Sequence, residues 1–183
     1  MRQDRTRRPR PPLSAEKLNE LALAYVGRFA TTRARLRTYL RRKVRERGWD
    51  DSPPPDFDAI AERFAAQGYV DDAAFALSKS RSLTGRGYGA RRVDQSLRTA
   101  GVEDEDAAPA REHAKADRVE AALRFAERRR LGPFASETAD RKGRARALAA
   151  MIRAGHGFGL SRAIVDLPPG AEMNLVELAD NSG

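Results

Sequence analysis

The chain has 183 residues, no cysteine, two histidines and a net charge of +9, which excludes disulfides, cysteine-based zinc sites and thiol catalysis. No run of about 18 apolar residues occurs, so no membrane-spanning helix is expected. The opening MRQDRTRRPRPPL is charged and proline-containing, without the apolar centre of a secretory signal, and a cytoplasmic protein is expected. With 33% charged and only 7% aromatic residues, and with strict polar–apolar alternation scarce, the expected fold class is all-α.

The positive charge is not spread evenly. Residues 1–50 carry +10, 51–76 carry −5, 77–101 carry +5, 102–117 carry −4, 118–153 carry +6 and 154–183 carry −3. Signs alternate with the helical pattern. An arginine-rich excess of this kind suits a polyanionic partner, nucleic acid or an acidic protein surface, because the guanidinium fork matches phosphate and carboxylate.

Residues 1–13 read as a disordered basic arm. Ser14 caps a helix whose Leu18, Leu21, Ala22, Tyr25 and Phe29 fall on one stripe. Thr31 or Thr32 caps the next, with Leu36, Leu40 and Val44 inward and Arg37, Arg41 and Arg45 spaced four apart beside them. Gly48 and Trp49 close it. Pro53, Pro54 and Pro55 connect to Asp56, the cap of a helix carrying Phe57, Ile60, Ala61 and Phe64.

The stretch from Gly68 to Val102 is the most specific part of the chain. Asp71 or Asp72 caps a short helix; Gly85, Gly87 and Gly89 form a basic turn with Arg86 and Tyr88; Ala90, Val93, Leu97 and Ala100 line the next helix. Gly101 ends that helix in the left-handed conformation, and Val102 folds back on its last turn. An acidic segment, EDEDAAPAREHAKAD, then opens a helix in which Pro109 must sit in the first turn or mark a break. Val119, Ala122, Leu123 and Ala126 form a further stripe leading to Arg128, Arg129 and Arg130. Asp140 caps a helix with Leu148, Met151 and Ile152, and Leu160, Ala163, Ile164 and Leu167 make a last short one.

About nine helices are therefore expected, and the pattern repeats: RFAAQGYVDDAAFA at 63–76 and MIRAGHGFGLSRAIV at 151–165 share helix, glycine, aromatic, helix, and LRTAGVEDED at 97–106 echoes the first half. The expected organisation is three tandem three-helix repeats, at 14–67, 68–116 and 117–167, in an elongated, curved molecule, with a flexible acidic tail at 168–183. Units this small bury too little surface alone, so neighbouring trios should share cores.

Chemistry has little to stand on. Asp71 and Asp72 are explained better as a helix cap than as a metal or acid–base pair, and a nuclease built on them ranks last among the readings. His113 and His156 lack metal-ligand spacing, and Gly85-Arg86-Gly87-Tyr88-Gly89 is not followed by the Gly-Lys-Ser/Thr of a nucleotide-binding loop. No catalytic residue, metal or cofactor is expected. Two basic surfaces stand out instead, the arginine-rich second helix and the turn with Arg86, Tyr88, Arg91 and Arg92.

Three pieces carry a family resemblance: Tyr25-Val-Gly-Arg-Phe with Leu36 and Tyr39-Leu40; Gly68-Tyr-Val-Asp-Asp with Phe75-Ala76; and Gly85-Arg-Gly-Tyr-Gly with Val93, Leu97 and Gly101-Val102. The sequence resembles the RecX family over roughly residues 18–166, most specifically through 68–102. It departs from many members in having Ala73 and Ala74 after the aspartate pair. The resemblance implies three three-helix repeats lying in the groove of the RecA–DNA filament, inhibiting RecA ATPase and strand exchange and tempering the SOS response. It implies a regulator rather than an enzyme. A monomer is expected. The contact residues expected for RecA or DNA are Arg33, Arg37, Arg41, Arg42, Arg45, Arg86, Tyr88, Arg91, Arg92 and Arg98. The residues expected to shape the motif are Gly68, Tyr69, Asp71, Asp72, Phe75, Gly85, Gly87, Gly89, Leu97 and Gly101. The alternative is a basic helical protein that binds single-stranded or duplex DNA directly and competes with RecA for it.

Overall fold

The structure, a computed structural model, describes residues 11–180. It divides into two compact units between Asp72 and Ala73. Among the described residues there are ten α-helices, one 3-10 turn and no strand.

The first unit holds α1 (Ala15–Val26), α2 (Arg33–Arg47) and α3 (Phe57–Ala66). Each begins where a polar side chain takes over a free backbone N–H. Ser14 Oγ accepts from Lys17 N at 3.3 Å, Thr32 Oγ1 from Arg35 N at 3.2 Å, and Asp56 Oδ1 from Ala59 N at 2.9 Å. Leu18, Leu36, Leu40, Ala61 and Phe64 form the core, and Tyr25 stacks on Tyr39 with ring centroids 4.2 Å apart. Phe29, expected on the α1 stripe, is 56% exposed, because α1 ends at Val26 and leaves it beyond the helical register.

The expected disordered arm of residues 1–13 falls mostly outside the described residues, but its last residue does not behave as an arm. Leu13 is fully buried, donates its N–H to Gly48 O at 3.0 Å and accepts from Asp50 N at 3.0 Å. It precedes the Ser14 cap, and both it and Leu18 at the fourth helical position are buried in one core, the arrangement of a hydrophobic staple.

The second unit contains α4 (Asp72–Gly85) apart from its first residue, α5 (Ala90–Ala100) and α6 (Asp104–Ala116), then α7 (Arg118–Arg129), a 3-10 turn at Gly132–Phe134, α8 (Arg141–Arg153), α9 (Phe158–Asp166) and α10 (Leu175–Asp180). Pro109 neither opens α6 nor breaks it. The helix runs through it because Ala107, Ala110 and Ala114 pack on the opposite face, while Pro109 and the Glu105 residue that loses its bonding partner are exposed. The tail expected to be flexible contains α10: Asn174 Oδ1 accepts from Val176 N at 3.1 Å, Leu178 is buried against the α7–α9 core, and Arg118 donates to Ala179 O at 3.2 Å.

The repeated glycine pattern is a repeated helix ending. At Gly68, Gly87, Gly101 and Gly155 φ is positive, between 70° and 98°. In each case the next residue's N–H reaches back five positions: Tyr69 to Phe64, Tyr88 to Leu83, Val102 to Leu97 and His156 to Met151. This is the Schellman arrangement, which satisfies carbonyls a helix would otherwise leave open. Two of these endings interlock within the second unit. Gly89 N donates to Ala154 O at 3.0 Å and Arg91 N to Gly155 O at 3.2 Å. A Cβ on Gly89 would lie 2.3 Å from Gly155 O, and one on Gly87 2.8 Å from Phe125 N, so backbone here packs on backbone. Gly85, by contrast, has nothing within 4 Å and is an ordinary last residue of α4.

Candidate nucleic-acid interface

The basic residues of the first unit are largely paired with carboxylates. On α2, Arg37 Nη1 lies 2.7 Å from Asp58 Oδ1 and Arg41 Nη2 3.5 Å from Asp58 Oδ2. Arg33 lies 3.3 Å from Glu62 and 3.6 Å from Asp72, and Arg42 lies 3.7 Å from Glu46. Lys43, hydrogen-bonded to Glu46 at 2.8 Å, holds that carboxyl below its usual range. Arg41 and Arg42 also lie over the rings of Phe57 and Tyr39. Arg45 alone of the expected α2 set forms no ion pair among the described residues.

Asp72 shows why carboxylates gather here. It is buried, and its Oδ1 accepts from Arg33 N at 2.9 Å, so it supplies an acceptor to the first turn of α2, thirty-nine residues away. That is a tertiary cap, with the favourable end of the helix dipole behind it. Sequence reasoning placed one of the two aspartates at the start of α4; Asp72 is the first residue of that helix and also serves one distant in sequence. Gly68, Tyr69 and Val70 lead into it, and Tyr69 is 54% exposed with its ring 5.7 Å from that of Phe64.

The second unit pairs Arg98, Arg111, Arg124 and Arg162 with carboxylates too, but one face of it has the opposite character. Arg86, Arg128, Arg129 and Arg153 surround a recess of about 410 Å³ floored by Tyr88, Phe125, Ala150 and Ala154. None of the four forms an ion pair among the described residues. They come from three helix C-termini: Arg86 just follows α4, Arg128 and Arg129 lie in the last turn of α7, and Arg153 in the last turn of α8. The partial negative charge at those ends favours cations locally. Arg86 Nε donates to Ser82 O at 3.1 Å, and Arg128 Nη1 donates to Arg86 O. The guanidiniums also lie on aromatic faces, Arg86 and Arg92 at 5.7 and 6.0 Å from the Tyr88 centroid, Arg128 and Arg129 at 5.6 and 5.9 Å from that of Phe125. Such contacts hold the arginines without neutralising them.

What fixes the recess is the glycine junction beneath it. Tyr88 packs against the cores of both the α4–α6 and α7–α9 trios. His156 is 2% exposed and its Nε2 lies 3.1 Å from Gly87 O, so Nε2 carries the proton, since a carbonyl can only accept. Burial pushes the His156 pKa down, with the Gly87 bond opposing it in part.

The arginines expected together on the turn are divided. Arg86 and Tyr88 join the four-arginine recess, whereas Arg91 lines a neighbouring recess with Lys115, Arg118 and His156. Arg92 donates to Gln95 Oε1 at 3.1 Å, and Arg98 pairs with Asp94 at 2.8 Å, a carboxylate also held by Arg111 at 2.8 Å. Phe75 and Leu97 lie in the α4–α6 core, with Gly101 closing α5. Sequence reasoning did not include Arg128, Arg129, Phe125 or Arg153 in the site. The visible signal was basic residues in the last turns of two helices that each end in a left-handed residue plus an apolar or aromatic one.

A family model described as RecX, second three-helix domain, matches residues 71–110, the stretch from the start of α4 into α6. Over 178 residues the chain is 33% identical to the regulatory protein RecX of Myxococcus xanthus, covering 89% of this chain and 91% of that one. The chain belongs to the RecX family. The regulatory protein RecX of Mycobacteroides abscessus is 39% identical over 93 residues, covering 50% of this chain and 44% of that one. The fold agrees as well. A crystal structure of RecX from Lactobacillus salivarius superposes with a TM-score of 0.58 at 18% identity, over 90% of this chain and 96% of that one. The chain is thus a RecX-type regulatory protein of tandem three-helix repeats, and its four-arginine recess joins the second trio to the third.

Proposed function

We propose that this RecX-family chain binds the RecA–DNA filament in its groove and lowers RecA ATPase, strand exchange and SOS activation. It does so as a monomeric cytoplasmic regulator without catalysis of its own. The observation that carries this reading is the concentration of unpaired arginine around one recess of the second unit, while the α2 arginines of the first are mostly spent on carboxylates. A filament offers phosphate and acidic protein surface together, and unpaired guanidiniums gain most from such a partner. The recess supplies the main electrostatic contact. Arg91 and Arg45 add to it, and the paired Arg33, Arg37, Arg41, Arg42 and Arg98 contribute less. The second reading is direct competition for DNA, favoured by the same arginines, which need only phosphate.

The deciding measurement is binding to fluorescent single-stranded DNA, alone and preassembled with RecA and a non-hydrolysable nucleotide, at physiological salt. The filament reading expects much tighter binding to the assembled filament and ATPase inhibition below one regulator per RecA protomer. Equal binding to both would refute it and leave the competitor.

A further inference from the structure

The recess has more character than a charged patch. Its volume of about 410 Å³ lies in the range of small-ligand sites, roughly 300–1,000 Å³, too small for a partner helix to enter. Its cations are all arginine, which forks onto phosphate where lysine offers a point charge. Its aromatic component is presented through guanidinium: Arg86, an exposed residue, lies over the Tyr88 ring at 5.7 Å. A nucleobase laid on such a guanidinium completes a ring–cation–ring stack, a recurring way of holding unpaired bases.

We propose that the recess seats one unstacked nucleotide of a single strand. Its phosphate lies among Arg128, Arg129 and Arg153, and its base rests on the Arg86 guanidinium backed by Tyr88. This rests on the reading that the basic face of the second unit meets DNA. It adds that the contact includes a base, so the protein distinguishes an unpaired strand from a duplex, whose bases are turned inward. An acidic protein segment would satisfy the charge but would leave the stacking platform unused.

The test compares two labelled 12-residue strands with equal phosphate count, oligothymidine and a strand of abasic deoxyribose units. The wild-type chain should prefer the base-bearing strand by about 5- to 150-fold, the span of stacking on a protein platform. Arg86→Lys keeps the charge and removes the plane, at an exposed position where folding is not at risk. It should reduce the preference to near unity, with the loss of affinity falling on the base-bearing strand far more than on the abasic one. Equal wild-type affinity for the two strands would overturn the nucleotide seat and leave phosphate contact standing. Absence of binding to either would overturn both the seat and the DNA side of the proposed function. Full preference retained in Arg86→Lys would overturn the platform, and competition by a 12-residue polyglutamate as strong as by oligothymidine would reassign the recess to an acidic peptide.

Discussion

Replacing Gly89 by alanine tests the interlocked turns under the recess. The added Cβ would meet Gly155 O at 2.3 Å, Gly155 C at 2.4 Å and His156 N at 2.6 Å, all backbone atoms that cannot rotate away. Relief requires the two turns to separate by about an ångström, enough to lose most of a hydrogen bond's attraction. Three bonds cross that gap: Gly89 N to Ala154 O, Arg91 N to Gly155 O, and His156 Nε2 to Gly87 O. At about 1 kcal/mol net each, and more where a buried group is left unsatisfied, the expected loss is roughly 3 kcal/mol. In urea, with a slope of about 1–3 kcal/mol per molar, the midpoint read by far-ultraviolet circular dichroism should fall by about 1–3 M. The single tryptophan, Trp49, belongs to the first unit and should report a smaller change. Gly85→Ala is the control: it has open space, ends a helix, and should be neutral or stabilising by up to about 1 kcal/mol. A Gly89→Ala midpoint within about 0.3 M of wild type, or equal damage from the two substitutions, would refute the packing argument.

The buried position of Leu13 predicts that Leu13→Ala costs about 2–5 kcal/mol, read at Trp49; a loss under about 0.5 kcal/mol would make it part of a dispensable arm. For His156, the folded state holds the neutral ring and its pKa lies below the ordinary 6.5. Between those two values the unfolded chain binds more protons. Stability should therefore fall as pH drops below about 6.5, by at most about 1.4 kcal/mol per pH unit, and be flat above it. His156→Gln should lower overall stability but remove this slope; persistence of the slope would assign it to other groups. Binding to single strands should weaken with salt, and Arg128→Gln or Arg153→Gln should each reduce the log–log slope by about 0.7. Arg37→Gln, whose guanidinium already pairs with Asp58, should change it far less, and an equal reduction there would place the paired stripe in the interface.

Much of the fold was legible because helix punctuation is local. Ser14, Thr32, Asp56 and Asp140 each accept the bonds that the capping rule expects, and Gly101 closes α5 with Val102 folded back on Leu97. What the sequence hid was tertiary. Nothing local says that Asp72 bonds to Arg33, or that the stripe of Arg37 and Arg41 lies within reach of Asp58. Nor does spacing reveal that Gly89 meets Gly155, the approach that brings Arg86 to Arg128, Arg129 and Arg153. The short α10 was hidden for a related reason: six residues in a polar tail make a weak helix alone, and Leu178 becomes meaningful only once the α7–α9 core exists to receive it.

The two treatments of arginine then have a common explanation. Like charges gathered around one recess repel, and more strongly near protein than in water, whereas a paired arginine avoids that cost. The first unit follows the cheaper course along most of α2. In the second, three helix C-termini offer only about 0.3–1 kcal/mol each toward the cations placed there, too little to make four unpaired guanidiniums favourable for folding alone. A cluster that does not serve the fold is best understood as serving a ligand. It follows that neutralising Arg153, for which no hydrogen bond or ion pair occurs among the described residues, should leave the chain at least as stable as before while weakening its hold on a polyanion, a separation that an arginine present for folding would not show.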